Sequence, residues 1–252
     1  MKQITFEDIY TLGQVVAKNE QYRHVHYPQM LTRYDSNFIE FTYVPHLSEF
    51  KEAETYLREY HLKKGQKHVK FYFPANEKPT LELIAYLTDR EYEIGFIELY
   101  VIQPECFPVL RTNPDIYIQV VTDTNLEIYL QLNYQYDLIF GSEFANQKID
   151  LNKRQYKNKD ILQLLAFYKG EPAGCVDIII SNDTVEIDNL TVEQKYRNKG
   201  IGSALQKFVM DRFPEKFVIL VADGEDTPRE MYKKQSYQYQ GFKYEAQKIY
   251  QD

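Results

Sequence analysis

Residues 190–205, LTVEQKYRNKGIGSAL, are the most informative stretch of the chain. Gly200 and Gly202 lie between an alternating segment typical of a strand and an amphipathic helical segment, and Arg197 and Lys199 precede them closely. A helix N-terminus offers unpaired backbone N–H groups and a partial positive charge, and glycines let an anion approach the backbone closely. The pattern therefore predicts a phosphate-binding turn, with a flexible surface turn as the alternative.

Two common phosphate-binding motifs do not match this turn. The ATP-type loop requires Lys followed by Ser or Thr after its last glycine, whereas Ser203 and Ala204 follow Gly202. The dinucleotide fingerprint requires a third glycine where Leu205 stands, and no predicted strand ends directly at Gly200.

The order Arg197-x-x-Gly200-x-Gly202 resembles the acetyl-CoA loop of the GNAT N-acetyltransferase superfamily. The resemblance covers about residues 113–252 and continues in EMYKKQSY, residues 230–237, which is similar to the family's helix-to-strand junction with Ser236 for glycine and Tyr237 for phenylalanine. It implies an α/β (α+β) fold with a mixed, mostly antiparallel sheet flanked by helices.

The resemblance also implies acetyl-CoA as the donor substrate, and no metal. In the family a backbone N–H at a bulge of the motif strand polarises the thioester, and the turn holds the pyrophosphate. Glu225 replaces an asparagine that many members use to contact the cofactor. The expected donor-binding residues are Leu190, Thr191, Val192, Arg197, Asn198, Lys199, Gly200, Ile201, Gly202 and Ser203.

Three residues are candidates for proton transfer. The family's junction tyrosine, which protonates the leaving thiolate, corresponds to Tyr232, for which a packing role is the alternative. Glu186 and Asp188 are two apart on the motif strand and therefore share one face, as expected of a general base there. Many members use no fixed base, so this role stays open.

The first hundred residues predict a smaller unit. TFEDIYTLGQVVAKNE, residues 5–20, has helical spacing with Thr5 as its cap, and strands and helices alternate after it. The segment 81–102 resembles the closing part of a second, degenerate GNAT unit. The proline-containing stretch 103–115 is the expected linker, so we expect tandem domains at 1–104 and 113–252.

Composition limits the class of function. The net charge of −7 and the lack of a long basic run argue against nucleic acid, and the absence of a long apolar run argues against a membrane. Two cysteines and no signal-peptide pattern fit the cytoplasm. His24 and His26 share one face of a predicted strand, where a structural role is favoured over a metal site.

The expected function is transfer of acetyl from acetyl-CoA to a primary amine of a small molecule or peptide. The alternative is a non-catalytic acyl-CoA-binding sensor or assembly module, since a fold does not fix a function. The sequence leaves a homodimer open and does not identify the acceptor.

Overall fold

A computed structural model describes residues 3–111, 113–224 and 228–250. The strands are β1 Gln14–Lys18, β2 Tyr22–His26, β3 Phe38–Phe41, β4 His68–Ala75, β5 Glu93–Ile102, β6 Ile116–Val120, β7 Ile161–Tyr168, β8 Glu171–Ile180, β9 Thr184–Val192, β10 Phe217–Asp223 and β11 Gln238–Ile249. The α-helices are α1 Leu47–Lys63, α2 Leu81–Asp89, α3 Leu126–Asp137, α4 Ser142–Tyr156, α5 Ile201–Arg212 and α6 Pro228–Lys234. Glu225 lies outside the described residues, and so does Thr227, which Pro228 and Glu230 predict as the cap of α6 from the sequence.

The chain forms two compact units, each built from separate segments. The C-terminal unit contains the start of the chain to Tyr10, then Tyr100–Val221 and Glu230–Tyr239. The N-terminal unit contains Thr11–Leu99 and receives the chain again from Ala222 to Arg229 and from Gln240 onward.

In the C-terminal unit the strand order is β10-β9-β8-β7-β6, with antiparallel pairs except for the parallel pair of β9 and β10. The β7–β8 hairpin turns through Lys169 and Gly170, both at positive φ, as a two-residue type I′ turn requires. Tyr129 and Leu130 of α3 pack with Leu165 and Cys175 in one apolar cluster. These elements support the motif strand β9 from one side.

In the N-terminal unit the order is β1-β2-β3-β4-β11-β5. β3 and β4 are parallel and joined by α1, and the last strand, β11, is antiparallel to β4 with Ala246 opposite Phe71. The core contains Phe50 and Leu57 of α1 packed with Phe71 and Phe73 of β4. The order is that of a mixed α/β sheet, as the sequence predicts.

The expected boundary differs from this arrangement. The sequence places one domain at 1–104 and the other at 113–252, yet residues 243–249 pair with β4. The expected linker contains a short 3₁₀ helix, Pro104–Cys106, and belongs to the C-terminal unit where it is described. The physical reason is that β4 needs an antiparallel neighbour, and the end of the chain provides it.

The helix predicted over 5–20 is wrong. Thr5 does cap a turn, but this is a 3₁₀ helix, Phe6–Asp8, and Val15 and Val16 lie in β1. Gly13 has φ near +132°, which is not helical, and a Cβ there would lie 2.8 Å from Val25 Cγ1, so the chain turns at a position that suits glycine. No helix among the described residues is long and apolar enough to cross a membrane.

Candidate active site

The motif strand β9 contains a bulge. β8 and β9 pair at Cys175–Thr191 and again at Asp177–Asp188, so β9 has one extra residue between these pairs. Asn189 lies there with φ near +51°, a conformation that asparagine tolerates better than most residues. The bulge was expected at Leu190, Thr191 and Val192, whereas the structure places it at Asn189 and Leu190.

Beyond Glu186 the motif strand departs from β10. The parallel register runs from Thr184–Phe217 to Glu186–Ile219, and a cavity of about 150 Å³ lies where the strands continue. Its lining residues come from β9, α5, β10 and α6, all in the C-terminal unit: Ile187, Asp188, Asn189, Leu190, Gln206, Leu220, Val221, Met231 and Tyr232. The bulge therefore faces a space between two diverging strands.

The glycine turn leads into α5 close to this cavity. Asn198 and Gly200 both have positive φ, near +62° and +87°, and Gly200 is the N-cap of α5. The first turn of α5 contains no acidic residue, and Arg197 and Lys199 are exposed beside it. The N–H groups of the first helical turn and two exposed cations therefore lie at the same end of α5, which suits an anion.

Two amides fix the shape of the turn. Asn113 Nδ2 donates to the Lys199 carbonyl oxygen at 3.3 Å, and Gln235 Nε2 donates to Ser203 Oγ at 3.1 Å. Gly174 on β8 permits the close approach of neighbouring backbone, because a Cβ there would lie 2.6 Å from the Thr191 carbonyl oxygen. Ile201 is buried, and its Cγ2 lies 3.4 Å from the position that a Cβ on Gly174 would occupy.

Tyr232 lies on α6 and borders the cavity together with Asn189 and Leu190. Its ring packs against Tyr100 and Tyr237, with centroids at 5.2 Å and 5.5 Å. The helix ends at a turn in which the N–H of Ser236 donates to Lys233 and the N–H of Tyr237 donates to Tyr232. This pair of hydrogen bonds is a Schellman motif, and it ends α6 within one turn of Tyr232.

The two carboxylates of β9 have different surroundings. Asp188 borders the cavity, while Glu186 is only 8% exposed and accepts a hydrogen bond from the Tyr10 backbone N–H at 2.7 Å. Burial, and then the negative charge of Asp188, raise the pKa of Glu186 to about 8, against the opposing hydrogen bond from Tyr10. A proton can therefore be held or released at Glu186 near neutral pH.

A buried polar network supports the bulge from the α3 side. Asn189 Nδ2 donates to Asn133 Oδ1 at 3.0 Å, and Asn133 Nδ2 donates to the Tyr129 carbonyl oxygen at 2.9 Å. The Tyr129 hydroxyl donates to Asp177, which pairs with Asp188 across the strands. Burial raises the pKa of Asp177 to about 6, although Lys148 and the Tyr129 hydroxyl oppose this shift.

Sequence reasoning did not find Asn133, Asp177 or Asn189. Two signals were present: asparagine is the residue that most readily adopts positive φ inside a strand motif, and Asp177 interrupts the apolar run CVDIII. Asn133 had no comparable signal, since a polar residue on an amphipathic helix is ordinary.

Comparisons with known proteins agree with this geometry. The acetyltransferase (GNAT) family model matches residues 129–237, which include β7–β9, the glycine turn, α5 and Tyr232. Residues 129–237 therefore form a GNAT domain. A second family model, a domain of unknown function (DUF5613), matches residues 4–100, upstream of the GNAT region. No curated protein sequence matches the chain.

Solved structures match almost the whole chain in fold. A functionally unknown conserved protein from Staphylococcus epidermidis ATCC 12228 is 34% identical over 98% of each chain, with a TM-score of 0.91. A GCN5-related N-acetyltransferase from Kribbella flavida is 11% identical, with a TM-score of 0.61 over 93% of this chain and 89% of the other. A tandem GNAT protein from the clavulanic acid biosynthesis pathway is 10% identical, with a TM-score of 0.53 over 85% and 76%. The two distant matches show the fold alone.

Proposed function

We propose that the chain is an acetyl-CoA-dependent N-acetyltransferase that modifies a primary amine of a small molecule or peptide in the cytoplasm. The observation that carries the proposal is the bulge at Asn189 and Leu190, which faces the space where β9 and β10 diverge. A thioester placed there would meet a backbone N–H next to the bulge, and the rest of the donor would extend towards the glycine turn.

In this proposal the turn holds the donor pyrophosphate through the residues from Arg197 to Ser203. The exposed cations and the free N–H groups at the start of α5 match the charge and geometry of a diphosphate. Gly200 has no atom within 4 Å of its Cβ position, and its positive φ disfavours any larger residue. Leu190, Thr191 and Val192 provide the strand edge along which the pantetheine arm would lie.

The reaction is a direct acyl transfer. The neutral amine attacks the thioester carbonyl carbon, the C–N bond forms, the C–S bond breaks, and the thiolate takes up a proton. Tyr232 borders the cavity and donates that proton in our proposal. Asp188 borders the cavity, and Glu186 lies two residues before it on β9 but does not line the cavity, so in our proposal the amine's proton reaches Glu186 through water.

The N-terminal unit is proposed to be a degenerate GNAT unit. Its β3–α1–β4 crossover has the same parallel pairing as β9–α5–β10. The connection between β3 and α1, residues 42–46, is TYVPH and contains neither glycine nor arginine. It therefore lacks the residues that would hold a diphosphate, and we assign donor binding to the C-terminal unit.

The experiment measures acetyl-CoA binding by calorimetry and thiol release with a panel of amines. We expect Arg197→Ala to weaken donor binding about tenfold or more, as loss of a charge-assisted contact does. Arg212→Ala, at the exposed opposite end of α5, is the matched control and should bind normally. Tight binding of acetyl-CoA without release of its thiol in the presence of any amine would contradict the proposed enzyme and favour the non-catalytic acyl-CoA-binding sensor.

Tyr232→Phe tests the proposed acid. Removing a positioned proton donor should lower kcat by roughly 10²-fold or more and leave the affinity for acetyl-CoA unchanged. Tyr239→Phe is the control, because its ring also packs on Tyr100, at 5.9 Å between centroids. Equal kcat values for wild type and Tyr232→Phe would remove Tyr232 from the mechanism.

A further inference from the structure

Three buried histidines meet in the N-terminal unit. His24 and His26 lie on β2, and His61 lies in the last turn of α1. Their exposed fractions are 0%, 4% and 0%, and one ring nitrogen from each lies within 4.8 Å of the others. The strand and the helix therefore bring together three imidazoles that are separated by up to 37 positions in the chain.

Each imidazole has a ring nitrogen without a hydrogen-bond partner among the described residues. His61 Nδ1 lies 2.7 Å from the His68 carbonyl oxygen and must carry the proton, which leaves the lone pair on Nε2. His24 Nδ1 contacts the Tyr56 hydroxyl at 3.2 Å, so its Nε2 is the unpaired atom. Neither nitrogen of His26 makes a hydrogen bond of good geometry, although the Asn37 amide is close enough to oppose the lowering of the His26 pKa by burial.

Unpaired polar atoms this deeply buried are costly and uncommon in folded proteins. One unpaired nitrogen could result from local packing, but three on facing rings point to a shared ligand. Imidazole nitrogens that carry a lone pair are all acceptors and cannot hydrogen-bond to one another. A single cation is the ligand that can satisfy several of them at once.

We propose that His24, His26 and His61 bind one zinc-class divalent cation, with water as the fourth ligand. Imidazole nitrogen suits Zn²⁺ and related transition metals, whereas Mg²⁺ and Ca²⁺ prefer oxygen. Zn–N bonds of about 2.0–2.1 Å require the three nitrogens to approach to about 3.3 Å, which small rotations of the rings can provide.

The surroundings of His61 fit this role. Its Nδ1–H donates to the His68 carbonyl oxygen and so fixes the tautomer and orientation of the ring. Metal-binding histidines usually make such a hydrogen bond through the ring nitrogen that does not bind the metal. Tyr60 packs edge-on against the rings of His24 and His26, with centroids at 4.6 Å and 5.2 Å, and leaves both rings only small rotations of the kind that metal binding requires. Arg58 and Lys64 contribute positive charge near His61 and His26, so we expect weaker affinity than that of a thiolate site.

This inference revises the expectation of a structural role for His24 and His26. The spacing His-x-His is visible in the sequence, but the third ligand lies 35 residues after His26 on another element. The bound ion would connect the end of α1 to β2, and its binding free energy would add to the stability of the N-terminal unit.

The test uses the full chain after chelator treatment and titrates Zn²⁺ alone against a chromophoric chelator, with elemental analysis of the bound metal. We expect one ion per chain, and at least tenfold weaker binding in His26→Gln and in His61→Gln. His46→Asn is the matched control, since His46 is exposed and asparagine also suits a helix N-terminus. Absence of binding in wild type would overturn the proposal, as would unchanged affinity in folded histidine variants.

Cobalt substitution gives a readout that needs no variant. Co²⁺ in a four-coordinate site of three imidazoles and water absorbs visible light much more strongly than six-coordinate Co²⁺ on a protein surface. Intense bands that Zn²⁺ abolishes at one equivalent would support the proposal. Only the weak spectrum of six-coordinate Co²⁺ would overturn it, even if every histidine variant failed to fold.

Discussion

Ser236 occupies the position after α6 where the related junction has glycine. Its φ is near +68°, in the left-handed region that disfavours a side chain, and its side chain is exposed. The turn keeps its two Schellman hydrogen bonds all the same. The strain is therefore local to one residue of the junction that carries Tyr232.

Ser236→Gly should stabilise the protein by about 0.5–1 kcal/mol. The free energy gained by removing a side chain from the left-handed conformation exceeds the entropic cost of a more flexible unfolded chain. The measurement is the urea midpoint at constant m-value. Ser181→Gly in the β8–β9 turn is the control, since Ser181 is not among the residues at positive φ, and it should be neutral or slightly destabilising.

Glu186 makes stability depend on pH. Its folded pKa of about 8 lies above the ordinary value of 4.5, so the folded state holds the proton that the unfolded state releases. The stabilisation from this proton is complete below about pH 4.5, falls as pH rises through the interval, and is lost above about pH 8. Across that interval the loss is on the order of a few kcal/mol.

Glu186→Gln should remove most of this dependence, because the amide stays neutral and its oxygen can still accept from the Tyr10 N–H. The measurement is the free energy of unfolding at pH 6 and pH 9, where the variant should lose less stability than wild type. Glu171→Gln, at the exposed hairpin, controls for a change in net charge. A variant that loses as much stability as wild type between these pH values would refute the assignment.

Among the elements, β9 carries the feature on which the proposed chemistry depends. Its bulge is fixed by backbone pairing to β8 and by the Asn189–Asn133 hydrogen bond to α3. Because the proposed backbone donor next to the bulge must point at the thioester oxygen, a shift of about 1 Å in β9 would misplace it.

Asn189→Ala removes both the hydrogen bond to Asn133 and the residue type that tolerates positive φ. We expect kcat to fall by roughly 10- to 100-fold, with the donor affinity retained because the glycine turn is unchanged. Steady-state kinetics and calorimetry check the two parts separately. Asn182→Ala, in the exposed turn before β9, should match wild type in both.

At this scale the sequence was informative where a local rule applied. The helix α5 and the strand β9 follow from periodicity and glycine placement, and both are confirmed. The prediction of a helix over residues 5–20 was wrong. The apolar spacing of Ile9, Leu12 and Val16 fits a helix but does not show that Gly13 adopts a positive φ. The bulge begins one residue earlier than expected, because its position is set by the pairing of β9 with β8, which the sequence of β9 alone does not show.

At the scale of the whole molecule, the resemblance to GNAT proteins gave the fold class but not the partition of the chain. Nothing in residues 240–250 indicates that they pair with β4, some 170 positions earlier, because strand pairing at such separation leaves no local signal. The histidine cluster was missed for the same reason.

Because β11 completes the N-terminal unit, fragments 1–104 and 113–252 should each fail to fold cooperatively when produced alone. Residues 1–104 leave β4 without its antiparallel neighbour and expose much of the apolar core around Phe71. Amide exchange protection and thermal denaturation measure this. The full chain is the reference, and a cooperative transition in isolated residues 1–104 would contradict the prediction.

The late position of β11 also constrains synthesis. Translation proceeds from the N-terminus, and domains that are contiguous in sequence begin to fold while the ribosome is still adding residues. Here β4 has to wait for Lys243–Ile249, which are added some 170 residues after it. The nascent chain therefore holds an unpaired strand edge until those residues are added, so β4 gains its antiparallel neighbour only after the segments of the C-terminal unit have been made.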